Sequence, residues 1–359
     1  MEIKTTKVEE SKRKPSPQSE SDLGFGRYFT DHMFMLDYAP DAGGWHDPRI
    51  VPYQQMSFDP ACMALHYAQQ VFEGMKAFAG VDGGIRLFRY EDHLARLRRS
   101  AERVCIPEFD TAAIGDAIKQ LVLIDRHWIP KTEGCALYIR PNIIAVDPFL
   151  GVRPSINYKL YVILSPVGAY YPEGFNPVRI MVNENLARAI PGGVGDAKTG
   201  GNYAASLLGQ LQAKKRGFTQ VLWLDAKERR YVEEVGTMNI FFIIDDEVIT
   251  APLTGSILPG VTRLSSIQIL KDWGVKVTER QLAIDEIVEA ADKGTLQEVF
   301  GTGTAAVVSP VGHFHYRDKT YQVADGLTGK LSQRLYDHIT GLQLGKIEDT
   351  HNWTTRIDL

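Results

Sequence analysis

Cysteine is scarce in this chain of 359 residues: Cys62, Cys105 and Cys135 are the whole supply. An odd, widely spaced set excludes a disulfide framework and offers no zinc-ligand spacing, so a reducing compartment and a cytoplasmic location are expected. A basic excess is missing too. Forty lysines and arginines against 44 aspartates and glutamates leave a formal charge of -4, which argues against nucleic acid or an anionic membrane as partner. No apolar run approaches the ~20 residues of a membrane span, and there is no internal repeat or low-complexity block. Residues 1–21 are polar, carry several glutamates and resemble neither a secretory signal nor an acid-poor transit peptide, so they read as a disordered tail.

What remains is a globular composition too long for one core, and two domains are expected. The pattern of elements is α+β. Strands are expected over 33–38, 135–144 and 158–165, helices over 61–73, 90–104 and 111–128, and a hairpin over 75–89 around Asp82-Gly83-Gly84. Residues 167–177, dense in Pro and Gly, read as a linker between a small domain over 22–166 and a larger one over 178–359. Beyond the linker the pattern gives a strand over 178–183, a helix over 203–216 and a hairpin of 221–225 with one long strand over 231–244. A helix follows Pro259-Gly260-Val261-Thr262-Arg263, and the turn Thr302-Gly303-Thr304-Ala305 precedes a last strand.

The most unusual stretch is Gly192-Gly193-Val194-Gly195-Asp196-Ala197-Lys198-Thr199-Gly200-Gly201-Asn202-Tyr203, one lysine among five glycines. By itself it reads as a glycine-rich surface loop. It also nearly spells the phosphate-binding pattern G-x-x-x-x-G-K-[ST], but Ala197 stands where the second glycine belongs, and a helix is expected only from about Asn202 or Tyr203. A third reading makes Lys198 a Schiff-base lysine, its pKa lowered by burial or a nearby cation. Such a lysine is useful with an electron sink, and the common soluble one is pyridoxal 5′-phosphate.

That cofactor needs a carboxylate for its ring nitrogen, donors for its phosphate and a hydroxyl for its ring oxygen. Glu233 and Glu234 lie in an otherwise apolar run, where a buried carboxylate requires a partner. Strand alternation makes Glu234 the inward one and leaves Glu233 as an exposed hairpin-end residue. Gly260-Val261-Thr262 opens a helix, whose free amides favour an anion; Thr304 and an arginine of the basic helix 90–104 could add to the phosphate site.

Six segments taken together resemble the branched-chain aminotransferases, of the fold-type IV class of pyridoxal-phosphate enzymes. They are Leu65-His66-Tyr67 with Val71-Phe72-Glu73-Gly74-Met75-Lys76-Ala77-Phe78, Leu137-Tyr138-Ile139-Arg140-Pro141, Gly192 to Tyr203, Glu234-Val235-Gly236-Thr237-Met238-Asn239-Ile240-Phe241, Ile257-Leu258-Pro259-Gly260-Val261-Thr262-Arg263 and Phe300-Gly301-Thr302-Gly303-Thr304-Ala305. The likeness runs in one order from about Phe25 to the last fifth of the chain.

The resemblance implies a two-domain fold-type IV enzyme, a small α/β domain plus a larger mixed-sheet domain, and a homodimer in which one subunit's small domain borders the other's site. It implies that Lys198 carries the cofactor and later shuttles a proton, that Glu234 pairs with the pyridine nitrogen and that Tyr203 bonds the ring oxygen. Arg96, Val261, Thr262 and Thr304 would hold the phosphate, with Arg188 nearby. The substrate carboxylate would meet Tyr67 and the backbone at Thr237 and Ala305. Phe29, Phe72, Tyr138 and Tyr170 would wall the side chain of leucine, isoleucine or valine, and Arg140 would take the distal carboxylate of glutamate or 2-oxoglutarate. A Cys-x-x-Cys pair of the mammalian members is replaced by Ala306 and Ser309, so thiol regulation is not expected. Within the class, a D-amino-acid transaminase or an aminodeoxychorismate lyase is the rival; outside it, a nucleotide-binding module or a catalytically silent binding protein.

Overall fold

A computed structural model describes residues 1–15, 17, 19–168 and 175–357. The chain forms two units: one takes in Met1–Tyr170, Ala197–Gly200 and Gly341–Leu359, the other Tyr171–Asp196 and Gly201–Thr340. Residues 169–174 of the expected linker, including Tyr170, lie outside the described residues. Two returns were not foreseen. The Lys198 segment and the C-terminal stretch, both expected in the larger domain, belong to the first unit.

In the first unit, β1 (Lys4–Thr5), β2 (His32–Ala39), β3 (Gly44–Pro52), β4 (Gln70–Phe72), β5 (Met75–Ala79), β6 (Ile85–Phe88), β7 (Ala136–Ala145) and β8 (Tyr158–Val167) share one sheet with the C-terminal strand Thr354–Ile357. The order is β1-β3-β2-β8-β7-β5-β6-C-terminal strand, with β4 pairing β7 off that path. Only β1 and β3 run parallel.

Period-two alternation sorts the side chains onto two faces. Leu137, Ile139, Ile143, Leu160 and Val162 enter one buried core with Leu94, Leu97 and Ile118 of the helices α2 (Tyr90–Arg103) and α3 (Thr111–Ile124). The opposite face takes Phe72, Lys76, Tyr138, Arg140, Asn142 and Tyr161, as the pairings Lys76 with Tyr138, Phe72 with Asn142 and Asn142 with Tyr161 require. This second face carries the polar chemistry of the unit.

Two expectations about this unit fail for clear reasons. The helix expected over 61–73 is only α1 (Met63–Tyr67): Ala68 adopts a left-handed φ of 52°, and Gln70–Phe72 pair with β7 instead. Residues 1–15 are not a disordered tail. Lys4 and Thr5 pair with Arg49 and Ile50, and Ile3 packs partly against the core. A polar segment with no core of its own is ordered here by lending its backbone to a sheet edge.

The second unit holds β9 (Val178–Asn183), β10 (Gln220–Leu224), β11 (Val232–Val235), β12 (Met238–Ile244), β13 (Glu247–Thr250), β14 (Val277–Glu279), β15 (Leu296–Gly303), β16 (Val307–Tyr316) and β17 (Lys319–Gln322). Their order is β11-β10-β9-β16-β15-β12-β13-β14, with β17 on β16 and β11 also on β12. The sheet is mixed, since β9 lies parallel to both β10 and β16. The single strand expected over 231–244 is folded in two at Gly236-Thr237, where Gly236 has a φ of 57°. A Cβ at Gly236 would come within 2.0 Å of the Gln220 side chain, so only glycine makes this turn without displacing it. The helices of this half of the chain are α4 (Gly200–Lys215), α5 (Val261–Asp272), α6 (Ile284–Lys293) and α7 (Lys330–Leu344), with Gly200 and the end of α7 from Gly341 counted in the first unit. The C-terminal strand Thr354–Ile357, β18, then pairs with β6.

Candidate active site

Lys198 is fixed by its own backbone. Its N–H donates to Ser100 Oγ of α2 at 2.8 Å, its carbonyl accepts the Phe72 N–H of β4 at 3.0 Å, and the next hydroxyl, of Thr199, donates to the Gln70 carbonyl at 2.7 Å. A Cβ at position 200 would lie 2.4 Å from the end of the Gln70 side chain, which would have to swing aside. The amine comes to rest 5.0 Å from the centre of the Phe72 ring. Burial, and then the charge of Arg96, lower its pKa to about 8. A lysine so placed is partly neutral near physiological pH, the form that can attack a carbonyl or accept a proton.

Behind it lies a buried ionic group. Glu73 is wholly buried and accepts from Arg96 through Nε at 2.6 Å and Nη2 at 3.0 Å, from the Gly74 N–H at 3.0 Å and from His93 Nδ1 at 3.0 Å. Burial alone would raise its pKa, but Arg96 and these hydrogen bonds outweigh that and hold it well below the usual carboxylate range. His93 moves down, chiefly through burial, so its ring stays neutral. Glu73 thereby aims a guanidinium near enough to Lys198 to repel its proton.

On the same sheet face, the Arg140 guanidinium lies 4.8 Å from the Phe72 ring centre and 5.2 Å from that of Tyr138, and its Nη2 donates to the Tyr138 hydroxyl at 3.1 Å. Its Nε is buried with no hydrogen-bond partner. Gly74 makes room for this group, because a Cβ there would fall 1.8 Å from the Tyr138 hydroxyl. Phe25 meets the Tyr138 ring edge-on at 4.9 Å, and Phe29 stacks on Tyr53 at 5.4 Å. The first unit thus brings Lys198, Arg96, Phe72, Tyr138 and Arg140 together. Tyr67 is engaged differently: it ends α1, its ring lies beside His66 and its hydroxyl donates to the Leu150 carbonyl.

In the second unit Glu234 is buried and paired across the β11–β12 hairpin with Asn239. Its Oε1 accepts from Asn239 Nδ2 at 3.2 Å and from the Leu258 N–H at 3.1 Å. Its Oε2 lies 2.8 Å from Arg188 Nε, whose N–H is not aimed at it, so the contact is one of charge rather than a directed hydrogen bond. Arg188, expected beside a phosphate, is committed here and donates from Nη2 to the Ser256 carbonyl. Glu233 corrects another expectation: it is 6% exposed rather than a solvated hairpin end, and the Ser256 hydroxyl donates to it. Burial pushes its carboxyl up, only partly offset by that hydroxyl and Arg188.

Asn239 Nδ2 also reaches the Leu258 carbonyl at 2.9 Å, which ties Glu234 to the segment leading into α5. Val261 and Thr262 open that helix, and no side chain caps it. Thr304 and Ala305 sit half-buried in the turn between β15 and β16, Thr237 is exposed at the β11–β12 turn, and Tyr203 is half-buried in α4.

A model of the class IV amino-transferase family matches residues 70–314. The chain belongs to the class IV aminotransferases. It is 54% identical over 358 residues to branched-chain-amino-acid aminotransferase 2 of Bacillus subtilis, covering 99% of this chain and 98% of that one. It is 51% identical over 347 residues to branched-chain-amino-acid transaminase 1 of the same bacterium, covering 96% of each. Among solved structures, the Escherichia coli branched-chain amino acid aminotransferase superposes with a TM-score of 0.74 at 28% identity, covering 92% of this chain and 99% of that one. The branched-chain amino acid aminotransferase of T.th. with pyridoxamine 5′-phosphate gives 0.75 at 28% identity, covering 90% and 98%.

This membership bears out the fold-type IV expectation and removes the nucleotide-binding rival. The helix after the lysine does start earlier than expected, at Gly200, but β9 ends at Asn183, so no strand leads directly into the glycine-rich stretch. Sequence reasoning missed Glu73 and His93 around Arg96, Ser100 at the backbone of Lys198, and Asn239 beside Glu234. The signal for Glu73 was present: it is a carboxylate inside the apolar run Val71 to Met75, the same argument that singled out Glu234.

Proposed function

We propose that the protein is a pyridoxal 5′-phosphate-dependent branched-chain amino acid aminotransferase, moving the amino group of L-leucine, L-isoleucine or L-valine to 2-oxoglutarate to give L-glutamate. The observation that carries this reading is a shared aromatic ring: Phe72 has the low-pKa amine of Lys198 near it and the Arg140 guanidinium 4.8 Å from its centre. An amine beside an apolar wall that also holds one cation suits two substrates, one with an aliphatic and one with an anionic side chain.

The residues fit the cofactor. Lys198 offers a buried, readily neutralised amine, the uncapped N-terminus of α5 offers amides for a phosphate dianion, and Glu234 offers a carboxylate held from three sides. When bound, the cofactor supplies an electron sink for the pair left on the substrate α-carbon. Lys198 Nζ would take the proton from the α-carbon of the amino donor and, when 2-oxoglutarate is aminated, supply one to the new α-carbon, and its pKa near 8 allows both directions. Arg96, held by Glu73, and Val261, Thr262 and Thr304 would be the donors to the phosphate. Glu234, with Arg188 Nε 2.8 Å from its Oε2, would accept the ring N–H. Tyr203 would donate to the ring oxygen. The substrate carboxylate would be received by Tyr67 and by the backbone at Thr237 and Ala305, and an aliphatic side chain would be enclosed by Phe29, Phe72 and Tyr138. Arg140 takes the distal carboxylate of glutamate.

A homodimer is part of the proposal. Leu65, Phe149, Leu150 and Val152 of the first unit are exposed, Val152 by 86%, and the Tyr67 hydroxyl is tied to the same loop through Leu150. Such an apolar surface suits burial against a second copy. The test of the function is an absorption spectrum of the purified protein with pyridoxal 5′-phosphate. The cofactor band should be lost on adding L-leucine and restored by 2-oxoglutarate; a protein that binds no cofactor, or whose band ignores leucine, overturns the reading.

A further inference from the structure

Residues 1–15 make a series of specific bonds to the segment that carries Phe29. Thr6 N–H donates to the Ile50 carbonyl at 2.9 Å, continuing the β1–β3 pairing, and Val8 N–H donates to His32 Nε2 at 2.9 Å. The other nitrogen of that imidazole, Nδ1, bonds Asp125 Oδ1 at 2.6 Å. Lys14 makes the densest contact. Its N–H donates to Asp31 Oδ1 at 2.9 Å, while its ammonium donates to the carbonyl of Thr30 at 2.7 Å and to that of Phe29 at 3.3 Å. The same ammonium sits 3.8 Å from the centre of the Tyr53 ring, on which Phe29 stacks.

The far side of Asp31 is fixed as well, its Oδ2 accepting from Trp128 Nε1 at 2.9 Å and bonding His127 Nε2 at 3.1 Å. On the sheet face of Arg140, the Tyr161 hydroxyl accepts from Asn142 Nδ2 at 3.0 Å. A cation spread over two carbonyls and one aromatic ring costs the side chain its rotamer freedom, so an anchor of this kind orders both partners it touches.

We propose that Lys14 is a positioning residue for the substrate wall: the N-terminal segment straps the backbone at Phe29 and Thr30 and the ring of Tyr53 in place, and so sets how well the site grips a branched side chain. This rests on the proposed aminotransferase reading, in which Phe29 faces the substrate. Lys14→Met keeps the aliphatic stem and removes the ammonium. In this variant the KM for L-leucine should rise roughly tenfold, the size of one lost charge-assisted hydrogen bond, with kcat within about twofold and Lys14→Arg recovering most of the loss. Amide exchange at Thr30 and His32, whose N–H groups bond the Leu164 carbonyl and Asp125 Oδ2, should quicken, with or without cofactor. A chain lacking residues 1–14 should show both effects.

Unchanged KM for leucine and unchanged exchange in both variants would overturn the strap. Equal losses in kcat and cofactor binding, without a KM effect, would also overturn it, since they mark a general loss of structure. If the unaltered enzyme fails to use leucine at all, the aminotransferase reading has failed instead, and the exchange measurement still decides whether the strap orders Phe29–His32.

Discussion

Lys198 and Lys76 belong to the same unit, and burial lowers both from the ordinary 10.5 to about 8. Their second influences have opposite signs. The guanidinium of Arg96 pushes Lys198 further down, whereas Cys135 pulls Lys76 partly back up. Their backbones differ as well: Lys76 stands in the middle of β5, its residue paired with Tyr138, while Lys198 sits on a glycine-flanked segment pinned to Ser100 and Phe72. A depressed pKa thus reports burial. The role comes from what else converges on the amine.

The sharpest way to break this comparison is to remove each amine. Lys198→Ala should lower turnover by about 10²–10⁴-fold or more, the usual loss of a positioned proton carrier, while the fold is retained. Lys76→Met should leave turnover within about tenfold. Equal losses in steady-state kinetics would make the two lysines functionally alike and sink the assignment.

The ionic group that sets Lys198 apart is the next target. Glu73→Gln leaves Arg96 buried without its counter-charge, and a loss of about 3–5 kcal/mol in denaturant unfolding is expected. Glu73 also raises the pKa of Lys198 and has no part in that of Lys76, so the titration of Lys198 alone should move to lower pH.

Stability against pH gives a third test. For a base whose folded pKa lies below its unfolded one, the unfolded chain holds more protons between the two values, so stability rises with pH through that window. The cofactor-free protein should therefore gain stability between pH 8 and 10.5, by about 3 kcal/mol for each buried lysine. Lys198→Met and Lys76→Met should each remove one share of the rise. A flat profile in the unaltered protein would show that neither amine is desolvated.

The smallest expected effect concerns Arg140, whose charge also lowers the pKa of Lys198. Arg140→Met should raise the KM for 2-oxoglutarate by roughly 10–100-fold, the worth of hydrogen bonds to a charged group, while the KM for leucine changes little. Comparable increases for both substrates would place Arg140 at the shared carboxylate instead.

Much of the first sheet was legible because its strands alternate cleanly; Leu160, Val162 and Leu164 of β8 point to the core and Tyr161 away. The lysine and Glu234 stood out by chemistry that a sequence displays directly, a glycine cluster and a carboxylate in an apolar run. The partners were harder. Arg188 was placed near a phosphate because charge shows in a sequence while its counter-ion does not, and the structure pairs it with Glu234. Glu233 was misjudged because simple alternation does not register that Ser256 approaches from another loop. The helix over 61–73 failed because apolar spacing cannot reveal a left-handed residue at Ala68.

The pairing of β18 with β6 has a consequence for biosynthesis. The first sheet begins with Lys4 and is completed only by Thr354–Ile357, with the whole second unit made in between. While the chain is still on the ribosome, β6 presents an open edge, the kind of edge that recruits stray strands. Chains cut short before Thr354 would keep that edge for good, so a late stop codon should yield an aggregation-prone product rather than a nearly complete enzyme.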